Sequence, residues 1–236
     1  MRIIAVTSQK GGSGKTTLSG HLAVAAARAG AGPVALIDTD PQGSLAAWWN
    51  ERQDESPAFA QCTLSSLDSD LQTLREKGFR LVFIDTPPAI TRAIQTVVSK
   101  SDLVLIPTRP SPHDLRAAGA TVDLVERAGK PLIFVVNGAT ARARLTGEAA
   151  IALSQHGTVA PTVIHNRQDF AASMIDGRTV METTAGKSAS EIETLWGYVE
   201  DRVKRLPVKA TFRPVTLPRS NFGNRSIAAG APGHMA

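Results

Sequence analysis

Eight consecutive residues, Lys10-Gly11-Gly12-Ser13-Gly14-Lys15-Thr16-Thr17, constrain the fold of this chain more than any other segment. Ahead of them, Ile3 to Thr7 is a short apolar, β-rich run that reads as a buried strand. Behind them, Lys15 to Ala29 is rich in Ala and Leu and free of Pro, which predicts a helix. A glycine loop between a strand and a helix lets successive backbone N–H groups converge on an anion, and the helix start adds its positive end. The ordinary GxxxxGK[ST] spacing would need a glycine where Gln9 stands. The loop is instead the deviant Walker A form KGGxGK[ST], with an extra lysine at Lys10. Gly11, Gly12, Ser13, Gly14, Lys15, Thr16 and Thr17 are therefore nucleotide-binding candidates. Lys15 would bridge the β- and γ-phosphates, and Thr16 would put its hydroxyl on Mg²⁺.

The rest of the chain repeats the alternation. Val34–Ile37, Leu81–Ile84, Leu103–Ile106 and Leu132–Val136 read as short buried strands. Helical patterns lie between and after them: Leu45–Arg52, a helix carrying Leu64, Leu67, Leu71 and Leu74 on one face, Asp114–Arg127, Glu148–Gln155 and Ser188–Leu206. Strands alternating with helices predict an α/β fold of P-loop NTPase type, a mainly parallel twisted sheet with helices on both faces. With 236 residues, 42% hydrophobic and 20% charged, the chain has ordinary globular composition and suits one sizeable domain. We expect that domain to span 1–206. From Pro207 onward the apolar residues thin out, four prolines appear and Asp and Glu are absent, so 207–236 reads as a flexible basic tail. The formal charge of +5 belongs mostly to that tail. Lys209, Arg213, Arg219 and Arg225 carry it, whereas residues 1–206 hold 22 basic against 21 acidic side chains.

Three acids fall at predicted strand ends, the edge where open α/β sheets bind ligands. Asp38 and Asp40 lie in Ile37-Asp38-Thr39-Asp40-Pro41-Gln42-Gly43, and Asp85 lies in Phe83-Ile84-Asp85-Thr86-Pro87-Pro88. Such an Asp can hold a metal-bound water or orient the attacking one. Each alone reads equally well as a helix cap or turn residue. Three of them beside a phosphate loop point to a nucleotide site.

These motifs resemble the ParA/MinD family of deviant-Walker ATPases, and more closely its short ParA-type partition proteins. The matching pieces are KGGSGKTT, IDTDPQGS, FIDTPP and the run Ser101–Pro112, with a weaker match over Arg167–Glu191. The resemblance covers about residues 2–206. It implies ATP and Mg²⁺ as cofactors. Thr16, Asp38 and Asp85 would support the metal, and Asp40 would position the hydrolytic water. Lys10 would reach across a dimer to the partner's nucleotide, so that two chains sandwich ATP. Asn137, after the Leu132–Val136 strand, matches a position that contacts adenine in such proteins; it also reads as an ordinary turn residue.

Composition then separates relatives. A single cysteine, Cys62, excludes the paired-cysteine chemistry of iron–sulphur members and is the usage of a reducing cytoplasm. A single tyrosine, Tyr198, excludes a C-terminal tyrosine cluster. The tail has no apolar stripe for a membrane helix, so no membrane partner is expected. The phosphate loop begins by residue 10, so no operator-reading domain is expected before it. The resemblance then implies an ATP-dependent homodimer that binds double-stranded DNA non-specifically, associates with the nucleoid, and answers to a ParB-like or other cargo-bound activator. Its cargo would be a plasmid, a chromosome region or a protein assembly. Arg142, Arg144, Arg167, Arg178 and Lys187 are the candidate DNA contacts; each also reads as solvated surface charge. The alternative is an ATP-switched regulator or assembly factor that works through protein partners without DNA.

Overall fold

A computed structural model describes residues 1–88, 92–183 and 186–207. The tail expected over 207–236 lies, apart from Pro207, outside the described residues. The strands are β1 (Arg2–Val6), β2 (Val34–Asp38), β3 (Ala58–Phe59), β4 (Leu81–Asp85), β5 (Leu103–Thr108), β6 (Leu132–Ala139), β7 (Thr158–Val159) and β8 (Ile164–His165). The helices are α1 (Lys15–Arg28), α2 (Ser44–Asn50), α3 (Leu67–Glu76), α4 (Arg92–Lys100), α5 (Pro112–Arg127), α6 (Arg144–Ser154), α7 (Gln168–Met174), α8 (Val180–Thr183) and α9 (Lys187–Arg205). The strands form one parallel sheet in the order β3-β2-β4-β1-β5-β6-β7, with β8 also beside β6.

Alternation along the strands builds two apolar layers. Ile4, Val6, Leu36, Phe83, Leu105 and Val135 face α1, α2 and α7–α9. Ile3, Ala5, Ile37, Ile84, Ile106 and Phe134 face α3–α6. The expected fold class is therefore the one observed. Helix α1 is buried at every position from Leu18 to Ala26, as befits a helix without a polar face. Its small residues admit close neighbours: a Cβ on Gly20 would sit 3.2 Å from the Trp48 ring.

Leu64 departs from its expected place. It is 42% exposed and lies in the turn before α3, which begins only at Leu67. The cause is local: Thr63 Oγ1 pairs with the hydroxyls of Ser65 and Ser66, and the Thr63 and Ser66 N–H groups bond each other's side chains. Those bonds hold the backbone in a turn and deny Leu64 a helical register.

His21, on α1, is fully buried. Its Nδ1 bonds the Thr17 carbonyl at 2.8 Å, its Nε2 accepts the Val180 N–H at 3.3 Å, and its ring meets Phe170 edge-on. Burial pushes its pKa down to about 4, against the Thr17 hydrogen bond and the charge of Glu182. The unfolded chain takes up this proton near pH 6.5 and the folded chain only near 4. Stability contributed by the neutral imidazole is thus complete above about 6.5 and lost as pH falls toward 4. We expect that loss to approach ~3 kcal/mol. The stability difference between wild type and His21→Gln, from urea midpoints, should shrink by most of that amount between pH 7.5 and 4.5. A constant difference would refute the assignment.

Candidate nucleotide site

The loop between β1 and α1 lies at the carboxyl edge of the sheet, with β4 and β5 on either side of β1. Gly12 and Gly14 have φ of 70° and 95°, a region that favours glycine. Gly14 is also the N-cap of α1, and a Cβ there would lie 2.1 Å from Asn137 Nδ2. That amide donates to the Ser13 carbonyl at 2.7 Å. Asn137 therefore pins the loop from β6. It also lines the cleft over that loop, where the expected contact with adenine would be made. Lys15 is buried, with Nζ 3.4 Å from the Lys10 carbonyl, so its ammonium reaches back across the mouth of the loop. Burial lowers its pKa, while Asp85 and Asp40 work to raise it. Lys10 is exposed, and among the described residues its ammonium makes no hydrogen bond or ion pair.

Asp38 and Asp85 end β2 and β4 as register partners, side by side. Their roles differ. Thr16 Oγ1 donates to Asp85 Oδ2 at 2.6 Å, and the Thr86 N–H bonds Asp85 Oδ1 at 3.1 Å. Burial pushes the Asp85 carboxyl up to about 7; Asp38 adds to the rise, while Thr16, Lys15 and the Thr86 N–H oppose it. Asp38 Oδ2 accepts the Leu45 and Ala46 N–H groups at 3.0 and 3.1 Å, and its Oδ1 accepts the Asp40 N–H at 3.0 Å. Asp38 thus caps α2 and holds the turn that carries Asp40. Burial raises its pKa in spite of those three hydrogen bonds. Asp40 bonds the Gln42 N–H in the same turn and faces the cleft beside Ser44.

The chemistry of this set suits a metal–nucleotide complex. Thr16 and Asp85 are hard oxygen donors already within hydrogen-bond distance. The buried Ser13 hydroxyl in the loop has no partner among the described residues, leaving polar capacity for a ligand.

A cleft of about 530 Å³ opens over Gly11–Thr17. Its far wall comes from Arg109, Gly138, His165, Asn166, Arg167 and Phe170. Sequence reasoning missed most of this wall. Arg109 and Gly138 had a signal, since both lie where ligands gather at strand ends. The two residues of β8 and the short α7 had none, because such elements are below the length at which periodicity shows.

The candidate DNA contacts do not share one environment. Arg167 Nη1 bonds Glu191 at 2.6 Å, and Glu191 also holds the His165 N–H and ring. Arg167 is thereby part of the cleft wall. Arg178 is half-exposed and paired with Asp176. Arg144 is exposed and pairs with Glu148 along α6, while Arg142 occupies the exposed turn before it with φ of 60°. Lys187 is exposed at the start of α9, whose first turn contains no acid.

Residues 4–180 match the family model described as the CobQ/CobB/MinD/ParA nucleotide binding domain. The chain is 36% identical over 219 residues to a maintenance of carboxysome distribution protein A of Gloeobacter kilaueensis, covering 86% of this chain and 94% of that protein. It is 30% identical over 198 residues to the Halothiobacillus neapolitanus protein of the same name, covering 80% of this chain and 91% of the relative. Its fold matches MinD in the Aquifex aeolicus MinC:MinD cell division complex with a TM-score of 0.73 at 18% identity, over 89% of this chain and 99% of that one.

Proposed function

The chain belongs to the CobQ/CobB/MinD/ParA nucleotide-binding family, and from that premise we propose that it is a Mg²⁺-dependent ATPase that positions a cargo by switching between an ATP-bound dimer and a released state. The observation that carries this reading is the cleft that the phosphate loop, Lys15, Thr16 and Asp40 line together, with Asp85 bonded to Thr16 beneath it.

The loop N–H groups and Lys15 bind the phosphates. Thr16 and Asp85 would hold the metal, with Asp38 beside Asp85 fixing the Asp40 turn. Mg²⁺, when bound, would supply positive charge that offsets the charge of the phosphates. Asp40 orients the attacking water. Lys10, exposed, reaches the nucleotide of a second chain and closes the dimer around it.

That dimer binds the backbone of non-specific duplex DNA, and with it the nucleoid, through a local patch, since the body is nearly neutral. Arg142, Arg144, Arg167, Arg178 and Lys187 are its candidate contacts, Arg167 being the one that also pairs with Glu191 in the cleft wall. Lys187 adds its charge to the positive end of α9. A cargo-bound activator, the counterpart of ParB, triggers hydrolysis and release. The names of the Gloeobacter and Halothiobacillus relatives favour a protein-built cargo over a plasmid or chromosome.

Electrophoretic shifts of random-sequence duplex with ATP and with ADP test this directly. We expect a shift with ATP alone, weakened steeply by salt. Asp40→Ala should bind ATP and shift DNA as wild type does, while its turnover falls ~100-fold, the effect of losing a water-orienting group. Unchanged turnover would remove Asp40 from its role. Absent shifts would favour the regulator that works without DNA, and ATP-independent shifts would overturn the ATP-switched grip on it.

A further inference from the structure

Arg109 follows β5 directly and has no part in the mechanism above. Its exposed side chain lies back over the phosphate loop. A Cβ on Gly12 would meet Arg109 Nη2 at 3.5 Å, and a Cβ on Gly138 would meet its Cγ and Nε at 3.6 Å. Both glycines have positive φ, 70° and 64°, so the groove that receives this side chain is one that other residues would strain to form. Among the described residues the guanidinium makes no hydrogen bond or ion pair. An arginine with five unspent donors, laid over a cradle for anions, suits bidentate contact with phosphate oxygens.

The sheet order decides which side it serves. Asp85 ends β4 and Arg109 follows β5, on opposite sides of β1. Asp85 thus flanks one side of the loop, and among the described residues that line the other side of this cleft Arg109 is a cation not engaged by Glu191, which holds Arg167 and His165.

We propose that Arg109 is a phosphate-binding residue of its own chain, donating to the nucleotide's phosphate oxygens on the side of the loop away from Asp85. The proposal rests on the cleft being an ATP site. It differs from the role given to Lys10, whose charge comes from the partner. Arg109 acts within one chain, so its loss lowers the affinity of the monomer for nucleotide.

The test is titration calorimetry of the full chain with MgADP and with a non-hydrolysable MgATP analogue, using wild type, Arg109→Ala, Arg109→Lys and Lys15→Ala. Circular dichroism confirms folding; Arg109 is exposed, and its melting temperature should not move on substitution. Arg109→Ala is expected to bind both nucleotides about tenfold more weakly, with Arg109→Lys in between. Wild-type affinity for ADP in Arg109→Ala overturns the proposal, because ADP binding does not depend on a closed dimer. A weakening confined to the ATP analogue, with loss of the dimer on size exclusion, also overturns it and makes Arg109 a dimer contact. A wild-type chain that binds neither nucleotide, or Lys15→Ala binding as wild type, overturns the ATP-site reading itself.

Discussion

Lys15→Ala is expected to lose nucleotide binding, with affinity for MgATP reduced at least ~100-fold. The ammonium is buried at the head of α1 and aimed over the loop toward the Lys10 carbonyl, the position a phosphate oxygen would share. Removing a desolvated charge that meets a charged ligand costs about 2–5 kcal/mol, and every 1.4 kcal/mol is tenfold. Among the described residues no other cation takes its place at the head of α1: Lys10 is exposed, and Arg109 comes to the loop from β5, over Gly12. Calorimetry with MgATP measures the loss directly. The substitution also takes a positive charge away from Asp85 and Asp40, which Lys15 now faces. Affinity within tenfold of wild type would count against the cleft as an ATP site.

The second large effect concerns stability. Arg52 lies just past α2 with its side chain only 2% exposed. Its guanidinium makes two bonds to Glu182, at 2.6 and 2.9 Å, bonds the carbonyls of Ser56 and Gly177, and lies 5.5 Å from the Trp48 ring centre. Burial alone would push the Glu182 carboxyl up; the hydrogen bonds from Arg52 and Thr179 outweigh it and hold the group below its ordinary value. Arg52→Ala leaves that carboxylate buried without its cation, which costs about 3–5 kcal/mol. In a chain of this size the melting temperature should fall by ~10 °C. The companion Arg52→Ala/Glu182→Gln should recover part of the loss, because no charge is then stranded. A melting temperature within ~2 °C of wild type would show that the pair contributes nothing net.

The phosphate loop was legible because its chemistry is local: glycines, a lysine and a threonine act within eight residues, between a strand and a helix. The central strands were legible for a related reason, since Ile3–Val6 or Leu81–Ile84 must be apolar on both faces of a covered sheet. What escaped was non-local. Asp38 reads as a metal ligand in sequence, and only the fold shows it gripping the start of α2. Asn137 gives no sign in the sequence of its bond to Ser13, 124 positions away. Arg167 gives none of its pairing with Glu191, which α9 brings to it. Leu64 kept the right spacing for a helix and lost it to hydroxyls that spacing does not weigh.

Helix α2 is held at both ends by groups far apart in sequence. Asp38 grips its first turn, while at its far end Arg52 and Trp48 hold the Gly177 and Arg178 carbonyls and Glu182. Seven helical residues span roughly 10 Å. The consequence is mechanical. The turn that bears Asp40 and the segment that bears Arg178 are the two ends of one short lever, with its fulcrum against Gly20 of α1. The position of that turn and the position of the Arg178 segment are therefore tied to each other through a single helix of seven residues.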